Sequence, residues 1–200
     1  AWNVLPAKIG TFLPDVTLKA HLEKGVTARM MTTLFSMAIA LIVFHWARKL
    51  YGVAAAFVSL ILYVLDPNII AHSQLVTTDV YIMGMMLVSC YWLWRFTQSR
   101  RIRDLFVFAL MIALAQLTKY TAVSMYPLLL GLLFLHELLR WKSSVRMGGG
   151  ETIRRVGGRY IAYLMIVAAV SLIVINAGFL FNRSFTPFHD YPFRSELFKS

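Results

Sequence analysis

Five ionisable side chains stand where uncharged, mostly apolar stretches begin or end, and their types suit acid, base and anion chemistry. Arg29 opens the first stretch, Asp66 closes the second, His72 lies in the connection that follows, Asp79 opens the third and Lys119 closes the fourth. A carboxylate can deprotonate or orient a hydroxyl, and a guanidinium or ammonium can hold a departing phosphate. Each residue also has a plainer use. Asp79 follows Thr77 and Thr78 ahead of an apolar run, a pattern that caps a helix and complements its dipole. Arg29 and Lys119 suit snorkelling anchors, Asp66 before Pro67 suits a helix end, and His72 suits a solvated or hydrogen-bonded place in a polar loop. No residue is assigned to a metal; a divalent ion stays open because Asp66, His72 and Asp79 could converge.

Other motifs weaken on inspection. His136 and Glu137 begin His-Glu-Leu-Leu-Arg, where the zinc-protease helix needs a second histidine and Arg140 stands instead. His45 is isolated near a helix end. One cysteine, Cys90, excludes an internal disulfide and any two-thiol zinc site. Asn182-Arg183-Ser184 is a weak glycosylation sequon close to the bilayer, and no Gly-x-Ser-x-Gly elbow is present.

These residues must be positioned by membrane helices. The composition, 59% hydrophobic and only 14% charged with a mean hydropathy of +0.67, leaves too little polar surface for a soluble domain of 22.8 kDa. The apolar runs predict an all-α polytopic bundle of about six spans, at about 28–47, 50–66, 79–96, 103–119, 120–140 and 159–182. Residues 1–26 form an outward-facing segment, 27–182 the transmembrane domain and 183–200 an outward-facing tail. Asp15, Lys19, Glu23 and Lys24 argue against a secretory signal in the first 26 residues.

Charge orients the bundle. Of the 20 Lys and Arg that dominate the net +11, twelve fall in alternate connections: Arg48, Lys49, Arg95, Arg100, Arg101, Arg103, Arg140, Lys142, Arg146, Arg154, Arg155 and Arg159. That side reads as cytoplasmic. The excess is an orientation signal, not a nucleic-acid footprint, and aromatics such as Trp46, Trp92, Trp94 and Tyr160 read as an interfacial belt. The glycine-rich connection at 141–158 reads as a flexible loop; it lacks the Gly-Lys-Ser/Thr ending of a phosphate loop. All five candidate residues then gather at the non-cytoplasmic ends. Ionisable groups at membrane depth are costly unless paired or hydrated, so this cluster is the natural place to seek a site.

The segments Trp46-Ala-Arg-Lys-Leu-Tyr-Gly52, Asp66-Pro-Asn-Ile-Ile-Ala-His72, Thr77-Thr-Asp79 and Leu117-Thr-Lys-Tyr-Thr121 resemble the dolichyl-phosphate-mannose protein mannosyltransferases, integral-membrane enzymes of the glycosyltransferase C superfamily. The aminoarabinose transferases are similar. The resemblance implies a partial membrane domain of that superfamily, and transfer of a sugar from a polyprenyl-phosphate donor to an acceptor at the non-cytoplasmic face of a membrane, read as the bacterial inner membrane. By resemblance Asp79 is catalytic, Arg29 and Lys119 bind the carrier phosphate, and Asp66 and His72 line the site. The family's first helix and the acidic outer loop after it have no counterpart that Asp15 or Glu23 can be matched to. The expectation is therefore the middle of a larger enzyme, active if that region is present in the native protein, or a reduced homologue.

Two other functions compete. A non-catalytic subunit of a larger membrane complex could reuse the same helices as a scaffold. A transporter could use the outward polar cluster as an entrance, but its broken midplane helices are not evident in the pattern.

Overall fold

The computed structural model describes residues 15–146 and 152–181. The described chain is built from seven α-helices: α1 Asp15–Tyr51, α2 Val53–Leu65, α3 Pro67–Ser73, α4 Asp79–Ser99, α5 Ile102–Thr118, α6 Met125–Arg146 and α7 Ile153–Gly178. A 3₁₀ turn, Tyr120–Ser124, leads into α6, and no strand occurs among the described residues. Helices satisfy their backbone polar groups within the segment, which is what an apolar surrounding requires. The protein is an all-α membrane bundle.

Its turns are placed by a few residues. Gly52, at φ 88°, takes a conformation that side chains disfavour and folds α2 back along α1. The two helices pair antiparallel: the hydroxyls of Ser36 and Tyr63 meet at 3.1 Å, and the rings of Phe44 and Phe57 meet edge to face at 5.3 Å. At Asp66 and Pro67 the chain bends by 61° into α3. Proline suits the first position of a helix because its missing N–H would have had no helical partner there. Arg100 ends α4 in the left-handed region (φ 55°), its N–H donating to Phe96 O, and α5 returns beside α4.

The core forms around α5, which packs between α4 and α7. Leu105, Phe108, Ala109 and Ile112 of α5 are buried against Leu93 and Phe96 of α4, Leu129 and Leu133 of α6 and Val167 of α7. Close approach depends on two glycines. A Cβ on Gly84 would stand 2.7 Å from both Ile39 Cδ1 and Phe35 Cε1 of α1, and one on Gly178 would stand 2.6 Å from Leu117 Cδ2 of α5.

The six expected spans are too many. Among the described residues three helical stretches are long and apolar enough to cross a membrane, Gly25–Tyr51, Tyr120–Arg146 and Ile153–Gly178; the bent pair Val53–Leu65 and Pro67–Ser73 brings the number to four if it is one span. The 17 residues of α5 extend only about 26 Å at the helical rise, short of a hydrocarbon core of about 30 Å. Tyr91, Trp92, Trp94 and Arg95 dilute the apolar character of α4. Both helices lie largely inside the bundle, so protein replaces lipid as their main surrounding. The loop expected at 141–158 is also corrected: α6 continues to Arg146 and α7 begins at Ile153, taking Gly157 and Gly158 into the helix. The connection at 66–79 contains α3. Asn182 and the 183–200 tail lie outside the described residues, as do residues 1–14.

Candidate polar site at one end of the bundle

The middle of α1, the start of α4, the whole of α3 and the end of α5 meet in one region. Thr33 Oγ1 of α1 donates to Ser73 O of α3 (3.1 Å), and Thr32 Oγ1 lies 3.0 Å from Tyr81 OH of α4. Asp79, the first residue of α4, projects into this junction and is reached from two other elements. Lys119, just past the end of α5, donates through Nζ to Asp79 Oδ1 at 3.0 Å. His72 of α3 places Nδ1 3.7 Å from Asp79 Oδ2. All three side chains keep access to the outside, each a little over two-fifths exposed.

The electrostatics follow from this geometry. The Lys119 hydrogen bond and the charge behind it hold the Asp79 carboxyl below the usual carboxylate range, with a smaller pull from His72. Lys119 thereby favours the ionised form of Asp79. A lysine ammonium has three N–H donors; one goes to Asp79, so the group can hold this carboxylate and a second anion together. His72 Nδ1 is buried without a hydrogen-bond partner.

Asp66 and Arg29 stand apart from this trio. Asp66 Oδ1 accepts from the backbone N–H of Asn68 (2.8 Å) and Ile69 (3.1 Å), so its carboxylate caps α3. The convergence of Asp66, His72 and Asp79 on a metal is not realised: no group of three or more His, Cys, Asp or Glu among the described residues is arranged to hold one. Arg29 is exposed and lines a groove of about 920 Å³ between α1 and the C-terminal end of α3. The groove is mostly apolar: Met30, Met31, Leu34 and Leu75 line it with Arg29, and Gln74 is among its polar members. Arg29 and the Asp79 trio thus flank α3 from two sides.

The opposite end holds charged residues whose importance the sequence pattern did not reveal. Asp104 is fully buried, accepts from Ser99 Oγ and lies 3.5 Å from Arg95 Nε. Glu137, 1% exposed, accepts from Arg100 Nη1 and, at 3.3 Å, from Arg159 Nη2. The pair ties the α4–α5 turn to α6 and α7. A usable signal was present: Asp104 and Glu137 are isolated acids in the most basic part of the chain, where arginines are at hand to pair with a carboxylate that becomes buried. Glu137, set aside as part of a failed zinc motif, is the central member of this network.

The family model for dolichyl-phosphate-mannose-protein mannosyltransferase matches residues 16–175. No match to the chain was found among curated proteins or solved structures.

Proposed function

Because the chain belongs to the dolichyl-phosphate-mannose-protein mannosyltransferase family, we propose that this membrane glycosyltransferase chain serves transfer of a sugar from a polyprenyl-phosphate donor to an acceptor hydroxyl at the non-cytoplasmic face, in the bacterial inner membrane. The observation that carries the reading is the Asp79–Lys119 pair at 3.0 Å, at the same end of the bundle as an apolar groove rimmed by Arg29. Sugar transfer from a lipid carrier needs three things: a surface for the isoprenoid chain, cations for the phosphate that leaves, and a group that orients the attacking hydroxyl. Met30, Met31, Leu34 and Leu75 supply the first. Arg29 receives the carrier phosphate, and Lys119 stabilises the negative charge that grows on it as the glycosidic bond breaks. Asp79 accepts a hydrogen bond from the acceptor hydroxyl and keeps Lys119 in place.

The test uses the chain in its full native context, reconstituted in proteoliposomes with dolichyl-phosphate mannose, the donor that the family's description names, and a hydroxyl-rich peptide as the protein acceptor. Asp79→Asn, matched to the parent in expression and thermal unfolding, should abolish transfer, while Arg29→Met should chiefly raise the donor KM. Full activity of Asp79→Asn would remove it from the mechanism. No transfer by the parent, together with stoichiometric co-purification of another membrane protein, would favour a non-catalytic subunit instead.

A further inference from the structure

At the basic end, far from Asp79, the buried acids do more than join helices. Asp104 and Glu137 are 0% and 1% exposed, so no outside partner reaches them. Each holds arginines beside it: Arg95 and Arg103 lie 3.5 and 3.8 Å from Asp104 Oδ1, and Arg100 and Arg159 donate to Glu137. These contacts bring further cations together. Arg101 follows Arg100 in the α4–α5 turn, Arg140 stands one turn beyond Glu137 on α6, and Arg155 stands one turn before Arg159 on α7. The charges of Arg100 and Arg140 both act on His136, which brings Arg140 within electrostatic reach of the α4–α5 turn. Arg101, Arg103, Arg140 and Arg155 are all exposed. Among the described residues Arg101, Arg140 and Arg155 have no acidic partner; Glu151, the remaining acid of this part of the chain, lies outside them.

The result is a ring of guanidinium groups from three elements whose counter-charges are closed off inside the bundle. Gathered like charges repel, and an external anion relieves the repulsion. The planar guanidinium fork, with its five N–H donors, matches the oxygens of a phosphate. Aromatic side chains mark the depth: Arg95 stacks over Trp92 at 4.8 Å, and Trp141 and Tyr160 stand close by on α6 and α7, residue types that sit at headgroup level. Beside Glu137 a cleft of about 90 Å³ separates α6 from α7, lined by Phe134, Leu138, Trp141, Val156 and Tyr160. Its apolar walls suit the first carbons of an acyl chain, which a soluble anion lacks.

We propose that Arg101, Arg103, Arg140 and Arg155 bind the phosphate of an anionic phospholipid whose acyl chain enters the α6–α7 cleft. The site does not depend on the glycosyl-transfer reading. Its specificity comes from charge and from the joining of a phosphate to an apolar chain, as in basic pockets between membrane helices generally.

The experiment uses the chain in its full native context, purified in a neutral detergent and titrated at constant ionic strength with dioleoyl phosphatidylglycerol or dioleoyl phosphatidylcholine. Native mass spectrometry reads the bound lipid. Phosphatidylglycerol should bind saturably and about tenfold or more tighter than phosphatidylcholine. Arg101→Gln combined with Arg140→Gln removes two members of the ring that pair with no acid, and should weaken phosphatidylglycerol binding about tenfold or more. Arg48→Gln combined with Arg146→Gln removes the same charge from outside the ring, and should weaken it less than about threefold. Equal affinity for the two lipids would overturn the proposal. So would equal losses in the two double variants, because that pattern marks attraction to the basic end as a whole. Displacement of the lipid by millimolar inorganic phosphate would overturn it too, by making a free anion the ligand. Thermal unfolding of both double variants should match the parent, since all four side chains are exposed. If Arg101→Gln with Arg140→Gln unfolds early, Arg155→Gln supplies the reading, with an expected loss of about fivefold.

Discussion

Truncating Glu137 to alanine removes the acid that holds three helices together at the basic end. Its two oxygens accept from Arg100 and Arg159, and its own side chain is 1% exposed, so the parent structure leaves no room for water to replace either partner at the carboxylate. Breaking a buried ion pair by deleting one member costs about 3–5 kcal/mol. Arg100 and Arg159 retain 22% and 37% of their side-chain exposure, so each guanidinium regains part of its hydration and the lower end applies. A loss of about 3 kcal/mol shifts the unfolding equilibrium roughly 150-fold. Reversible unfolding in mixed micelles, titrated with a denaturing detergent, measures it. Glu137→Gln keeps the volume and one acceptor but no charge, and should lose less than Glu137→Ala. A double-mutant cycle with Arg100→Ala should return a coupling of about 1–3 kcal/mol. If Glu137→Ala unfolds within about 0.5 kcal/mol of the parent, the network is not a structural tie and the reasoning fails.

Gly84→Ala should destabilise the α1–α4 contact by about 1–3 kcal/mol, because its new methyl meets Phe35 and Ile39 at 2.7 Å. Gly131→Ala, with nothing within 4 Å, should be neutral or stabilising by up to about 1 kcal/mol; equal effects in the same unfolding assay would refute the packing argument. The Asp79–Lys119 pair has its own pH signature. Since Lys119 lowers the Asp79 pKa from its ordinary 3.8, the pair's contribution to stability is fully present above that value and is lost as pH falls through the lowered one. Lys119→Met should move the carboxyl titration of Asp79 upward, read by ¹³C NMR, and an unmoved titration would show that the contact does not form.

Much of the bundle is legible in the sequence. The apolar runs marked the helices because a side chain in lipid or in a helical core must be apolar wherever it lies. What misled was counting each run as a span. Helices α4 and α5 are apolar for the sake of neighbouring helices as much as of lipid, and hydropathy along a chain does not distinguish the two surroundings. At 141–158 the glycines suggested a loop. Gly157 and Gly158 are nevertheless helical, since the long apolar stretch from Tyr160 onward propagates the helix and a glycine costs it only about 1 kcal/mol. For the site, Asp79, His72 and Lys119 could be assigned to one end by following the chain back and forth. Their meeting on a single carboxylate was not readable, and Asp66 differed because a residue before proline is as well placed to cap a helix as to line a cavity.

The sequence by itself determined the medium, the helical class and which ionisable residues lie at which end, because these depend on composition and on the order of apolar and charged segments. Tertiary structure alone decided the partners. Asp79 and Lys119 are 40 residues apart, and Arg100 and Glu137 are 37 apart; such contacts depend on the rotation of each helix about its axis, on the 61° bend at Pro67 and on the close approach that Gly84 and Gly178 permit. Those quantities are set by how side chains of different helices fit together, which no single segment specifies.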